Sequence, residues 1–277
     1  MSAAGDSVYD PRVALAFFKA AGKGERVSAG TTLFREKEKG SRLLAKGSKM
    51  YLLLKGEIAL VSGKKEVGAV KPGEVFGELA AITDAPRSAT AVAKTDCTVI
   101  ALDGKQFEAA LRRKPVFALM LMSVMVKRLR DTIAQLAADG ELSADKAAKE
   151  GVAFNAKHLV DLAKGLSDDP PVYYDRNKVI VQAGQKGVRM YVVTEGRAVV
   201  KMGERVVERL GPGGVFGEAA LVDQSARLAT VVAETDCALL PITRNGFLGL
   251  VKMSPGFAES MLGSLAERVR FLTARMH

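Results

Sequence analysis

The 277-residue chain has no tryptophan, two cysteines and two histidines. So few thiols exclude a disulfide-stapled scaffold. His158 and His277 cannot join Cys97 and Cys237 in a metal site at any familiar spacing. Each cysteine sits in Ala-x-Thr-Asp-Cys within strand-like text. They read as small buried hydrophobes, one per core, the alternative being an interdomain disulfide or a reactive thiol. No apolar run reaches the roughly 18 residues that a membrane span needs. The longest, Val116 to Val126, ends at Lys127 and Arg128. The first residues, Met-Ser-Ala-Ala-Gly-Asp-Ser, have neither a basic start nor an apolar core, so no signal peptide is expected and the cytosol is the expected location. No metal cluster, Ser/His/Asp set or Walker-type loop is present, so the chain is not expected to be an enzyme.

What the chain does contain is repetition. Residues 72–90 read Pro-Gly-Glu-Val-Phe-Gly-Glu-Leu-Ala, five more residues, then Pro-Arg-Ser-Ala-Thr. Residues 212–230 read Pro-Gly-Gly-Val-Phe-Gly-Glu-Ala-Ala, five more, then Ala-Arg-Leu-Ala-Thr. The offset of 140 holds without a gap from Met50/Met190 to Cys97/Cys237, with 20 of those 48 positions identical. Self-similarity at domain length means two copies of one unit. The division expected is a first domain over 1–140, a polar linker over 141–154 and a second domain over 155–277. The net charge of +10 suits anionic ligands or an acidic surface, and equally a solvated basic surface.

The copies share a plan. Pro11 to Ala21 reads as an amphipathic helix. Short strand-like runs follow at 25–27, 32–34, 50–54, 58–61 and 67–70, broken by Gly30, Gly47, Gly56, Gly63 and Gly73. Many short strands with Gly-bearing turns predict a mainly β fold of jelly-roll type with flanking helices. Ser88 to Leu102 is again strand-like and Phe107 to Arg112 helical, and Pro115 opens a long helix to about Ala138. That helix carries Leu119, Met122, Val126, Leu129, Ile133 and Leu136 in a heptad seam. The seam packs either against its own barrel or against another helix, in this chain or in a second copy. In the second copy a helix is expected at 155–165, strands from Lys178 to about Pro241, and helices near 247–251 and 255–275. Each domain thus ends in a long C-terminal helix. Copy one has seven extra residues between Glu36 and Met50, in a stretch from Arg35 to Lys49 with six basic and two acidic residues. It reads as a longer solvated hairpin, the alternative being a basic docking loop.

The repeated block has the parts that hold a ribose and a phosphate. An arginine fork meets two phosphate oxygens at once. A carboxylate accepts from a ribose hydroxyl. A glycine beside it lets the backbone come close, and a short helix start adds N–H groups that attract an anion. Phe76, Gly77, Glu78, Leu79 and Ala80 with Arg87, Ser88 and Ala89 supply these parts once. Phe216, Gly217, Glu218, Ala219 and Ala220 with Arg227, Leu228 and Ala229 supply them again. A Glu and an Arg nine residues apart could instead be a surface ion pair of little consequence. The full pattern, repeated at one place between strands, argues otherwise.

On these residues the chain resembles two tandem cyclic nucleotide-binding domains. This is the superfamily of the bacterial catabolite activator protein and the regulatory subunits of cAMP-dependent protein kinase. The resemblance implies a β-jelly roll with the block as its phosphate-binding cassette. It implies that Glu78 and Glu218 take the ribose 2′-hydroxyl and that Arg87 and Arg227 take the cyclic phosphate. It also implies helices that move when ligand binds. Ser88 resembles the hydroxyl-bearing position of both cAMP and cGMP readers, whereas Leu228 cannot donate a hydrogen bond. The adenine-contacting threonine of the activator matches Thr132 here, and Leu272 in the second copy. cAMP is therefore the favoured ligand and cGMP the possible one, with copy one the more faithful site. The chain stops on its last helix with no recognition helix after it, so sequence-specific DNA binding is not expected. The expected partners are the cyclic nucleotide and either an unidentified protein or a second copy joined through the long helices. The competing reading is a degenerate scaffold or a receptor for a cyclic dinucleotide.

Overall fold

A computed structural model describes residues 9–39, 48–83, 86–138, 149–150, 153–155, 158–160, 162, 170–222 and 226–273. It divides into two compact units, residues 10–117 and residues 118–277, the latter with the first nine residues.

In the first unit, α1 (Pro11–Ala21) is followed by β1 (Lys23–Val27), β2 (Thr32–Phe34), β3 (Met50–Lys55), β4 (Ile58–Ser62), β5 (Lys65–Val70) and β6 (Val75–Phe76). Then come α2 (Glu78–Thr83), β7 (Thr90–Ala93), β8 (Cys97–Leu102) and α3 (Gly104–Arg113), and α4 (Val116–Ala138) starts here and runs into the second unit. The strands form two antiparallel sheets, ordered β1-β8-β3-β6 and β2-β7-β4-β5. Asp10 caps α1 through the Arg12 amide, and Asp103 and Gln106 close a capping box on α3.

The second unit repeats the order. β9 (Lys149–Glu150), β10 (Val172–Tyr174), β11 (Val179–Val181), β12 (Arg189–Glu195), β13 (Ala198–Met202), β14 (Arg205–Leu210) and β15 (Val215–Phe216) lead to α5 (Ala219–Val222). β16 (Thr230–Ala233), β17 (Cys237–Thr243), α6 (Arg244–Met253) and α7 (Pro255–Thr273) complete it. Its sheets are β10-β17-β12-β15 and β11-β16-β13-β14-β9. Both expected jelly rolls are thus present. The cores correspond at the 140-residue offset: Tyr51, Leu53, Ile58, Val70, Phe76 and Ala91 in one, and Tyr191, Val193, Ala198, Leu210, Phe216 and Val231 in the other. Cys97 and Cys237 are free and buried in these cores, as expected of small buried hydrophobes. Burial raises the Cys237 pKa and so disfavours its thiolate.

Two elements depart from the sequence reading. β10 precedes the expected first strand of copy two. Its short run follows two prolines, and its partner strand β17 gives it a place in the sheet. The polar linker is not free of structure: Lys149 and Glu150 pair in parallel with Glu208 and Arg209 at the edge of β14. Ala153 and Phe154 then both donate to the Gly213 carbonyl. The basic stretch at 37–49 and the helix expected at 155–165 lie largely outside the described residues.

Each barrel is closed by an aromatic cluster between its helices. Phe17 stacks on Phe117 at 3.7 Å between centroids, with Phe18 and Phe107 edge-on to Phe117. Phe154 stacks on Phe257 at 5.1 Å, beside Phe247. Phe17→Ala is expected to cost about 3–5 kcal/mol in the first unit, as for a fully buried aromatic ring. Val67→Ala, at a side chain 58% exposed, should stay within about 0.5 kcal/mol. Urea unfolding of the two variants, followed by circular dichroism, checks the contrast.

Candidate functional site

The repeated block occupies the same place in each unit, between a two-residue strand and the strand that begins at the shared Thr. The short strand pairs back on the barrel: Tyr51 lies opposite Phe76, and Tyr191 opposite Phe216. The ring pairs stack at 5.2 and 5.3 Å. This fixes where the glycine and glutamate that follow must stand.

Gly77 and Gly217 have φ of 71° and 78°, in the region that side-chain-bearing residues rarely adopt. Their need for glycine is also steric. A Cβ on Gly77 would stand 2.8 Å from Arg87 Nη1, and one on Gly217 2.5 Å from Arg227 Nη1. The reason is a hydrogen bond. Arg87 Nη1 donates to the Gly77 carbonyl at 2.8 Å and Nη2 to the Lys49 carbonyl at 2.8 Å. Arg227 repeats this with the carbonyls of Gly217 and Arg189, at 2.6 and 2.7 Å. Each guanidinium is pinned by two backbone oxygens, so its orientation is set before any anion arrives. Its charge needs no carboxylate in contact. Burial lowers the pKa of both arginines, and arginine stays protonated regardless.

The cassettes then diverge. Arg87 is buried, with its guanidinium 4.1 Å from the centroid of the Phe34 ring. The seven-residue insertion shifts the alignment so that Val181 takes the place of Phe34, and Arg227 is only half-buried. Glu78 is 3% exposed and Glu218 6%. Glu218 is held by an arginine that the motif does not contain: Arg268 on α7 donates from Nη1 to Glu218 at 2.7 Å. Arg268 Nε meets Glu208 on β14 at 3.1 Å, and Nη2 donates to the Val215 carbonyl at 2.5 Å. Burial acts to lower the Arg268 pKa, but Glu208 and Glu218 outweigh it and hold the pKa raised.

In the second unit these groups line a cavity of about 150 Å³. Phe216, Gly217, Glu218, Ala219, Arg227, Leu228 and Ala229 all face it, seven of the eight residues named there from sequence. Ala220 is buried behind. Sequence reading missed Arg268 and Glu208 and did not place Val126, Leu129, Ile133 and Phe271 at the site, whereas Leu272, matched there to the adenine-contacting position, lines the cavity. Arg268 had a signal, since Arg128 stands 140 residues earlier. Glu208 had none, because its counterpart is Gly68. In the first unit Phe76, Ala80 and Ala89 are buried, Gly77 and Leu79 half-buried, and Ser88 exposed. Thr132 is half-buried on α4, next to Ile133, which faces the second cavity.

A jelly roll that sets a buried glutamate beside a glycine whose carbonyl pins an arginine ten residues on defines a class of ligand-binding module. The chain carries that module twice. Residues 25–114 and 171–254 match the cyclic nucleotide-binding domain family, and the chain belongs to it as a tandem pair. It is 30% identical over 226 residues to a cAMP-dependent protein kinase regulatory subunit of Eremothecium gossypii, covering 81% of this chain and 43% of that one. It is 24% identical over 231 residues to cGMP-dependent protein kinase 2 of Mus musculus, covering 81% of this chain and 26% of that one. The chain thus spans less than half the length of these relatives. Among solved structures, the Thermus thermophilus catabolite activator protein is 32% identical, covering 44% of this chain and 58% of that one at a TM-score of 0.39. Among the described residues, no helix is long and apolar enough to cross a membrane.

Arg268→Ala is expected to cost about 3–5 kcal/mol at pH 7, because it leaves two buried carboxylates without their counter-charge. Chemical unfolding of both proteins at pH 7 checks the loss.

Proposed function

We propose that the chain is a regulatory cyclic-nucleotide sensor that binds cAMP, or cGMP, in its two cassettes. The observation that carries the reading is the second cavity. There Arg227, held by two backbone carbonyls, and Glu218, buried next to Gly217, line one apolar space beside α7. A cyclic phosphate matches the guanidinium fork, a ribose hydroxyl matches the carboxylate, and a purine matches the apolar lining. The first cassette repeats the arginine and glycine geometry within 0.2 Å in its hydrogen bonds. The family match and the similarity to a cAMP-dependent protein kinase regulatory subunit agree with this reading. cAMP is the favoured ligand, on the match of Thr132 to the adenine-contacting threonine of the activator.

The signal passes through the helices. Arg268 ties α7 to the carboxylate that a ribose would seek, so ligand at Glu218 alters the contact that holds α7. A ligand shifts a protein only by binding one arrangement better than another, and this shared carboxylate gives such a difference. The chain acts by binding rather than by catalysis. Its output is a protein partner or a change in self-association, and its setting is the cytoplasm.

Isothermal titration calorimetry with cAMP, cGMP and cyclic di-GMP tests this directly. Two molecules of cAMP or cGMP per chain are expected. Arg87→Ala and Arg227→Ala should each weaken one site about ten- to a hundredfold, the loss of one charge-assisted contact. Unchanged affinity in both variants, or no heat from either mononucleotide, would end the assignment.

A further inference from the structure

The second cavity is not built by the second repeat alone. Three of its lining residues, Val126, Leu129 and Ile133, come from α4, the helix that follows the first repeat. Their spacing of three and four residues puts them on one helix face. They are part of the heptad seam seen in the sequence. The helix is oriented accordingly: Val126 and Leu129 are 2% and 9% exposed. Lys127 and Asp131 point to solvent, with side chains 76% and 64% exposed, and pair with each other at 2.6 Å. Over residues 126–133, α4 thus turns an apolar face to the cavity and a polar face to solvent.

The rest of the lining sorts by chemistry. Its charged groups form one connected set: Arg268 bonds Glu208 and Glu218, and Arg227 bonds the carbonyl of the glycine next to Glu218. Val126, Leu129 and Ile133 belong to the apolar remainder, with Leu228, Phe271 and Leu272. Among the described residues of α4, those that line the cavity are apolar and cannot hydrogen-bond a base edge.

We infer that the second site is composite, with α4 as its apolar wall, so that the hold of the second cassette on its nucleotide depends on the helix of the first repeat. This inference rests on the cyclic-nucleotide reading of that cavity. The wall suits the flat face of an uncharged purine and does not distinguish adenine from guanine. Whatever moves α4 changes nucleotide release at the second site, and nucleotide in the second site resists movement of α4. Coupling of this kind is reciprocal. It is also confined to the pair of repeats: no third protein is needed to link them.

The test uses the full chain with Arg87→Ala, so that the second site is read alone. Leu129→Ala and Ile133→Ala are then each expected to weaken cAMP and cGMP alike by about 5- to 20-fold, the effect of one or two buried methylenes, with faster release. Arg227→Ala serves as the control for the cassette itself. If Arg227→Ala removes binding and neither α4 variant changes it, the cassette stands and the composite wall is wrong. A second measurement needs no nucleotide. The chain has no tryptophan, so Ile133→Trp, at a half-buried position, gives one reporter. Blue-shifted emission shielded from acrylamide is expected in the free protein. Solvent-like, freely quenched emission overturns the proposal even if cyclic nucleotides fail to bind.

Discussion

The hydrogen bond from the cassette arginine to the carbonyl of its own cassette glycine is the constraint from which the rest of each site follows. It requires a residue without a Cβ at Gly77 and Gly217, because the guanidinium lies where that atom would be. It requires the left-handed turn that aims the carbonyl inward. It draws the second nitrogen onto the carbonyl of Lys49 or Arg189, at the edge of the neighbouring strand. The glutamate that follows the glycine is then carried to a fixed place beside the arginine. Neutral carbonyls hold each guanidinium without a direct ion pair, its charge being balanced at a distance by Glu38 and Glu78 in the first cassette and Glu218 in the second. A carboxylate in contact would have neutralised that charge. The site is therefore preorganised for an anion rather than filled by one of the protein's own.

The two copies solve the remaining problem differently. In the first, an aromatic ring covers the arginine, and the guanidinium is almost wholly desolvated. In the second, a valine stands there, and the burden of order passes to α7. Arg268 reaches from that helix into the cavity and is satisfied by two carboxylates and a carbonyl. Breaking a buried set of this kind is costly, which makes it a good latch: the helix is either seated with all three bonds or it is not seated. Because one of the carboxylates is also the expected ribose acceptor, the latch and the ligand share an atom pair.

Most of this was legible before any coordinates. The fold followed from short glycine-punctuated strands, and the two cores correspond at the same 140-residue offset that the motif shows. The cassette glycines, glutamates and arginines were legible because they are repeated. What repetition could not reveal was whatever differs between copies. Glu208 faces Gly68 in the alignment, so nothing marked it. Strand β9 is two residues in a polar linker, recruited by an open sheet edge rather than by its own pattern. The heptad seam was visible on α4, but a seam does not name its partner. Three of its residues, Val126, Leu129 and Ile133, line the second cavity, which only the packing of the second unit reveals.

The central claim is that each cassette holds one cyclic nucleotide by its arginine and glutamate. The most direct test is a crystal structure of the chain grown with saturating cAMP. The account predicts density for the cyclic phosphate against Arg87 and Arg227 and for the ribose 2′-hydroxyl against Glu78 and Glu218, with Arg268 and α4 at the second site. Nucleotide bound elsewhere, or cassettes whose arginines keep only their carbonyl bonds at saturation, would contradict it.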